Sequence, residues 1–258
     1  MKLHYKQFSS EGAPLVILHG LYGNGGNWAA HARQLSSEFA VYTFDARNHG
    51  QSPRASSMLL TEMAADVVET MQALELESAH LLGHSLGGKT AMLVALQAPS
   101  VVQDLIVVDI APIAYNKQDD EILAALCALK LENLQSRAEA DAKLAEDIAS
   151  KGVRDFLLTN LQRDEAGKFS WRINLPVIAE NFTQLTGWPE RDKVYEGRTL
   201  FIKGSESRYI LPEYEQQTVA QFPNASLKVV TGAGHWVHSE KPEAVQKLIR
   251  NFLLAATN

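Results

Sequence analysis

Mostly apolar runs of five or six residues, at 3–8, 15–19, 40–45, 79–83, 105–109, 199–203 and 226–230, are separated by longer amphipathic stretches at about 28–38, 61–76, 86–98, 212–221 and 241–255. Runs that short and apolar suit strands buried on both faces, whereas the stretches between them carry helical periodicity. The order β, β, α, β, α, β, α, β predicts an α/β fold, a mostly parallel sheet flanked by helices. Right-handed crossovers then gather the C-terminal strand ends at one edge, where open α/β sheets bind ligands.

The alternation breaks once. From 112 to 196 the pattern turns helical, through "KQDDEILAALCALKLENL", "SRAEADAKLAEDIASKG" and "VRDFLLTNLQRD", punctuated by Gly152, Gly167 and Pro176. The expected organisation is a core of residues 1–111 and 197–258 with a helical cap, 112–196, emerging at the ligand edge. Of the 258 residues 46% are hydrophobic, enough for a sizeable core. The formal net charge of −6 argues against nucleic acid as a main partner, because phosphate binding needs a basic surface. The single cysteine, Cys127, forms no intramolecular disulfide, and in its apolar helical stretch it reads as a buried structural thiol. No run approaches eighteen apolar residues and the N-terminus lacks an apolar signal core. No stable membrane insertion is therefore expected, and a cytoplasmic location is the default. Nothing in the pattern speaks to oligomeric state.

One turn concentrates the chemistry. In "AHLLGHSLGGKTAML", Gly83-His84-Ser85-Leu86-Gly87 forms a G-x-S-x-G between an apolar strand and a helix. That is the setting of a nucleophile elbow, a strained turn that exposes the serine Oγ. The motif alone also fits an ordinary turn; its placement singles out Ser85. The amide of Leu86, opening the helix, is a candidate oxyanion donor. A second is expected after an early strand, where "HGLYG" (19–23) places the amide of Leu21 beside Gly20. The same loop lacks G-x-G-x-x-G spacing and implies no dinucleotide.

A serine nucleophile needs a base, and in a sheet of this kind the order Ser, acid, His favours a late histidine. "TGAGHWVHSEKP" offers His235 in the loop after the last strand. His238 lies nearer the next helix, where it reads as capping or solvated, and His49 in "FDARNHGQS" reads as shaping a loop near the site. With neither H-E-x-x-H nor a cysteine beside His235 and His238, no metal site is expected, and the chemistry calls for no cofactor. The acid has two candidate positions. Asp109 ends the apolar run of "LIVVDIAPI", where a carboxylate is costly unless paired and otherwise caps the turn into Pro112. The loop after 199–203 holds Glu206 between Ser205 and Ser207, with no aspartate. Asp104 precedes its strand, at the wrong end of the sheet. Gly20, His84, Tyr209 and Trp236 flank these motifs and are candidate substrate contacts. In the cap, Arg154, Phe156, Trp171 and Arg172 are candidate pocket liners, a reading their setting does not separate from packing.

Together "HGLYGNGGNW", "FDARNHGQSP", "GHSLGGKTAM", "VVDIAP" and "GAGHWVHSEKP" resemble the α/β-hydrolase superfamily and, within it, the YbfF-type bacterial esterases and their mitochondrial relatives. The resemblance implies a small helical cap and hydrolysis of acyl esters or thioesters, acyl-CoA among them. It assigns the nucleophile to Ser85, the base to His235 and the acid to Asp109, ahead of Glu206. The expected function is that of a serine esterase or thioesterase, with a small-molecule acyl ester or thioester as partner. Arg47, Lys117, Lys203 and Arg208 are candidate contacts for CoA phosphates. Other chemistries of the same triad (carbon–carbon bond hydrolysis, perhydrolysis, lyase reactions) and a non-catalytic ligand-binding role are the alternatives.

Overall fold

The computed structural model describes residues 1–115 and 120–255. In chain order the core elements are β1 (Tyr5–Gln7), β2 (Ala13–Leu18), α1 (Ala29–Leu35), β3 (Phe39–Phe44), α2 (Leu60–Ala73), β4 (Ala79–His84), α3 (Leu86–Gln97) and β5 (Val102–Val108). There follow α4 (Glu121–Ala128), α5 (Arg137–Leu144), α6 (Lys151–Leu158), β6 (Leu161–Arg163), β7 (Phe169–Trp171), α7 (Leu175–Glu180) and α8 (Phe182–Thr186). The sheet then resumes with β8 (Thr199–Gly204), α9 (Glu215–Gln221), β9 (Ala225–Val230), α10 (Val237–Glu240) and α11 (Pro242–Leu254).

The seven-stranded sheet runs β1-β3-β2-β4-β5-β8-β9. All neighbours are parallel except β1, antiparallel on β3. The expected first strand, 3–8, shortens to three exposed edge residues. Burial follows from two helical layers. On one face Met63, Val67 and Met71 of α2 and the apolar α3 pack against the strands. On the other, Ala32 and Leu35 of α1 join Val245, Ile249 and Leu253 of α11. The chain order reverses between β2 and β4, so their C-terminal ends, carrying "HGLYG" and "GHSLG", flank a crevice at a topological switch point.

Between β5 and β8 lies the helical stretch, with one departure from expectation. Residues 161–171, read as helical, contain the antiparallel hairpin β6–β7. Asp164 N donates to Lys168 O and Gly167 takes φ 80°, closing a turn. Leu161, Phe169 and Trp171 face inward while Gln162 and Ser170 face out. Cys127 corrects a second expectation: α4 turns Ala125 and Leu126 inward, leaving the thiol exposed.

Candidate active site

Ser85 is the one residue between β4 and α3. Its backbone sits at φ 53°, ψ −119°, a conformation that costs a non-glycine residue about 1–3 kcal/mol and persists only where neighbours enforce it. Ser85 N donates to Val108 O and its carbonyl accepts from Lys89 N, both at 3.0 Å. The first turn of α3 presses on the end of β2, where a Cβ at Gly87 would stand 2.4 Å from Leu18 O. The hydroxyl therefore projects at the crevice from a braced turn.

Asp109 follows β5 at φ 55° and is 0% exposed. Its Oδ1 accepts from Gly204 N at 3.0 Å, and its Oδ2 accepts from the Ser207 hydroxyl and from His235 Nδ1, the latter at 2.8 Å. A carboxylate acceptor at Nδ1 fixes the proton there and leaves Nε2, 3.0 Å from Ser85 Oγ, to accept. Tyr209 stacks on the imidazole at 4.0 Å, and His84 Nε2 holds the His235 carbonyl at 2.9 Å. Glu206 takes no part in this arrangement: its side chain is exposed, and its amide bonds Ala233 O. The loop after β8 supplies hydroxyl and amide donors in place of an acid. Asp104, at the opposite strand end, pairs with His80 and Arg198.

The loop after β2 approaches Ser85 so closely that a Cβ at Gly20 would lie 3.2 Å from Ser85 Cβ. Two buried imidazoles brace it. His19 Nε2 accepts from Ala46 N at 2.9 Å, so its Nδ1 donates to Gly20 O at 2.8 Å. His49 Nε2 accepts from Tyr22 N at 3.2 Å, so its Nδ1 donates to Arg47 O at 3.0 Å. Among the described residues the amides of Leu21 and Leu86 have no partner in the turn, loop and cap hydrogen bonds, and both residues line the cavity above Ser85.

That cavity is about 130 Å³. Asn27, Trp28, His84 and His238 contribute to its lining, and Ile110, Ile122, Phe156, Leu157, Phe182 and Leu185 supply apolar surface. Of the candidate contacts, Gly20, His84, Tyr209, Trp236 and Phe156 line it. Arg154 and Trp171 do not. The Arg154 guanidinium is spent on Asp141 and on the carbonyls of Ile148 and Ala149, and Trp171 is buried in the hairpin. Arg172 is exposed beside a separate polar hollow. His238 is neither a cap nor solvated: it is buried, stacked on Trp28 at 4.3 Å. The cations proposed for CoA also lie elsewhere. Arg47 is buried against Asp66 and Glu62, Lys203 lines a groove beside β9, and Arg208 is exposed outside the cavity lining; Lys117 lies outside the described residues.

The histidines around His235 are held uncharged. Burial pushes His49 and His238 down to about 3, and it lowers His19 and, further, His84. The unfolded chain binds protons at these positions below about pH 6.5 while the fold does not, so stability falls on acidification. For His49 and His238 the loss is roughly 1.4 kcal/mol each per pH unit between about 6.5 and 3. Urea midpoints check this: a clearly lower midpoint at pH 5 than at pH 7 is expected, and equal midpoints would mean the imidazoles charge freely inside the fold.

Among the described residues no cluster of three or more His, Cys, Asp or Glu side chains could hold a metal, and no helix is long and apolar enough to cross a membrane. Among the contributors that escaped the sequence reading are Ser207 on Asp109, and Lys89, Tyr115, Phe182 and Leu185 in the cavity lining. Lys89 had a signal, as the one cation in the otherwise uncharged, apolar-rich α3.

A family described as the alpha/beta hydrolase fold matches residues 13–242. Esterase YbfF of Escherichia coli (strain K12) is 37% identical over 258 residues, spanning 98% of this chain and 99% of that protein. The sn-1-specific diacylglycerol lipase ABHD11 of Mus musculus is 38% identical over 247 residues, 93% of this chain and 80% of its own length. A solved structure described as a marine microorganism esterase superposes with a TM-score of 0.94 at 37% identity, covering 97% of this chain and 99% of that one. With the family matched across residues 13–242 and relatives above 30% identity covering nearly the whole chain, the chain belongs to the alpha/beta hydrolase fold family and is an ester hydrolase.

Proposed function

We propose that this ester hydrolase is a serine enzyme that cleaves acyl esters and thioesters, acyl-CoA among them, through an acyl-enzyme on Ser85, beneath a cap formed by residues 112–196. The observation that carries the reading is one imidazole bonded on both sides, His235 lying 3.0 Å from Ser85 Oγ and 2.8 Å from Asp109 Oδ2. His235 Nε2 takes the hydroxyl proton as Oγ adds to the substrate carbonyl. The tetrahedral oxyanion is met by the amides of Leu21 and Leu86, each such donor contributing about 3–4 kcal/mol. Collapse expels the alcohol or thiol, which takes the proton from His235, and Oγ remains acylated. Water, deprotonated by the same imidazole, repeats the addition and releases the acid. Asp109 stays ionised throughout and holds the imidazolium.

The cap reading is supported by the cavity walls: Ile122, Phe156, Leu157, Phe182 and Leu185 come from 112–196 and face Ser85 and Leu86 of the core. Together they present an apolar surface suited to an acyl chain. A panel of one acyl chain offered as simple ester, CoA thioester and diacylglycerol (the last because the mouse relative is named for it), run at graded chain lengths, tests the substrate class. Hydrolysis of both the simple ester and the CoA thioester is the expected result, without a preference for the thioester, because none of the described cations proposed for the CoA phosphates lines the cavity. Faster cleavage of the thioester than of its ester would point to CoA contacts outside the cavity, and no hydrolysis of either removes the proposal.

A further inference from the structure

α3 buries a cation beside the nucleophile. Lys89, four residues after Ser85, is 1% exposed and lines the cavity. Its ammonium donates to Thr186 O at 2.7 Å and Gly187 O at 2.6 Å, carbonyls at the C-terminal end of α8, and lies over the Tyr115 ring at 4.9 Å. Burial pushes this ammonium down to about 7, and the two carbonyls and the ring face are the groups placed to offset that burial. Hydrogen bonds from a charged donor to helix-end carbonyls are among the stronger ones in proteins, and more so out of water. These bonds join residues 97 and 98 positions apart in the chain.

What the ammonium grips is a wall of the site. Phe182 and Leu185 of α8 face the cavity on the same helix whose end Lys89 holds. Tyr115 reinforces the grip: its amide donates to the same Thr186 O at 2.9 Å, and its hydroxyl donates to Tyr209 O at 2.5 Å. Tyr209 is the ring stacked on His235. The wall, the base and the first turn of α3 are therefore tied together through one ammonium and one tyrosine.

We propose that Lys89 is a specificity-determining residue: by clasping the end of α8 to α3 it fixes the distance from the Phe182–Leu185 wall to Ser85, and so sets which acyl lengths the cavity accepts. The inference rests on the cavity being the acyl site, as proposed above. Without the clasp the wall recedes, short acyl chains lose their packing, and longer or branched chains gain room.

The test is Lys89→Met, which keeps side-chain length and removes the donors, assayed with p-nitrophenyl esters graded from acetyl to dodecanoyl. The ratio of kcat/KM for short over long chains is expected to fall by about tenfold, the discrimination that a methylene-sized change in an apolar pocket carries. The change should sit in KM for the short esters. Leu185→Ala should shift the ratio in the same direction, and the double variant should shift it by less than the product of the two. An unchanged ratio, or an equal loss at every chain length, overturns the clasp. Loss of hydrolysis on Ser85→Ala tests the underlying reading separately. Should the methionine variant fail to fold, hydrogen exchange of the 182–187 amides in Lys89→Gln carries the test. Faster exchange there than in the wild type is expected, and equal exchange overturns the proposal.

Discussion

Ser85→Ala is expected to lower kcat by about a million-fold, the scale set by removing the serine of comparable hydrolases, and to leave the fold intact. About 8 kcal/mol of transition-state stabilisation is at stake. It goes at once because base and acid have nothing to activate without Oγ. The bonds that hold the turn are backbone bonds, Ser85 N to Val108 O and Lys89 N to Ser85 O, and alanine keeps both. The φ of 53° strains alanine as it strains serine, so the melting temperature should move by no more than a degree or two. A fluorophosphonate probe gives the complementary readout: one adduct in the native protein, mapped to Ser85, and none in the variant. Native protein that takes no adduct, or a variant that keeps its turnover, would mean that the braced hydroxyl is not the nucleophile.

What the chain reveals before folding, and what it withholds, divides along a physical line. Runs such as "LLGH" and "LIVVD" announce buried strands because both their faces are apolar, and the small residues around Ser85 announce a tight turn because nothing larger fits. The hairpin at 161–171 was missed because three-residue strands are too short to express a two-residue period. Arg154 stays ambiguous in sequence because a long cation in an apolar region suits a pocket as well as packing, and only the fold shows its guanidinium on Asp141 and two carbonyls of its own neighbourhood. Cys127 shows the same limit from the other side, since an apolar helix says which residues are greasy and not which face is covered. Lys89 and Ser207 depend on contacts spanning 97 and 98 residues respectively, which no local pattern encodes.

Asp109→Asn is expected to cost about four orders of magnitude in kcat, while Glu206→Gln stays within about twofold of the wild type. Asparagine preserves shape and burial at a position where φ is 55°, a conformation that Asn tolerates as well as Asp. What changes is the direction of one proton. Gly204 N can only donate, whereas the Ser207 hydroxyl can turn and accept. An amide at 109 therefore keeps its oxygen on Gly204 N and turns its N–H₂ toward Ser207 and His235. An N–H facing Nδ1 selects the tautomer whose proton lies on Nε2, and that imidazole cannot take the proton of Ser85. The imidazolium formed later also loses its counter-charge in a place shielded from water. Ser207→Ala should fall between the two, because it frees Asp109 Oδ2 from one donor and leaves the His235 bond in place. The decisive comparison is therefore between two carboxylates alike in kind and different in setting: one buried under three donors, the other exposed. Orders of magnitude lost on Glu206→Gln, with Asp109→Asn active, would move the acid to the loop after β8 and leave Asp109 as a cap for the turn that follows β5.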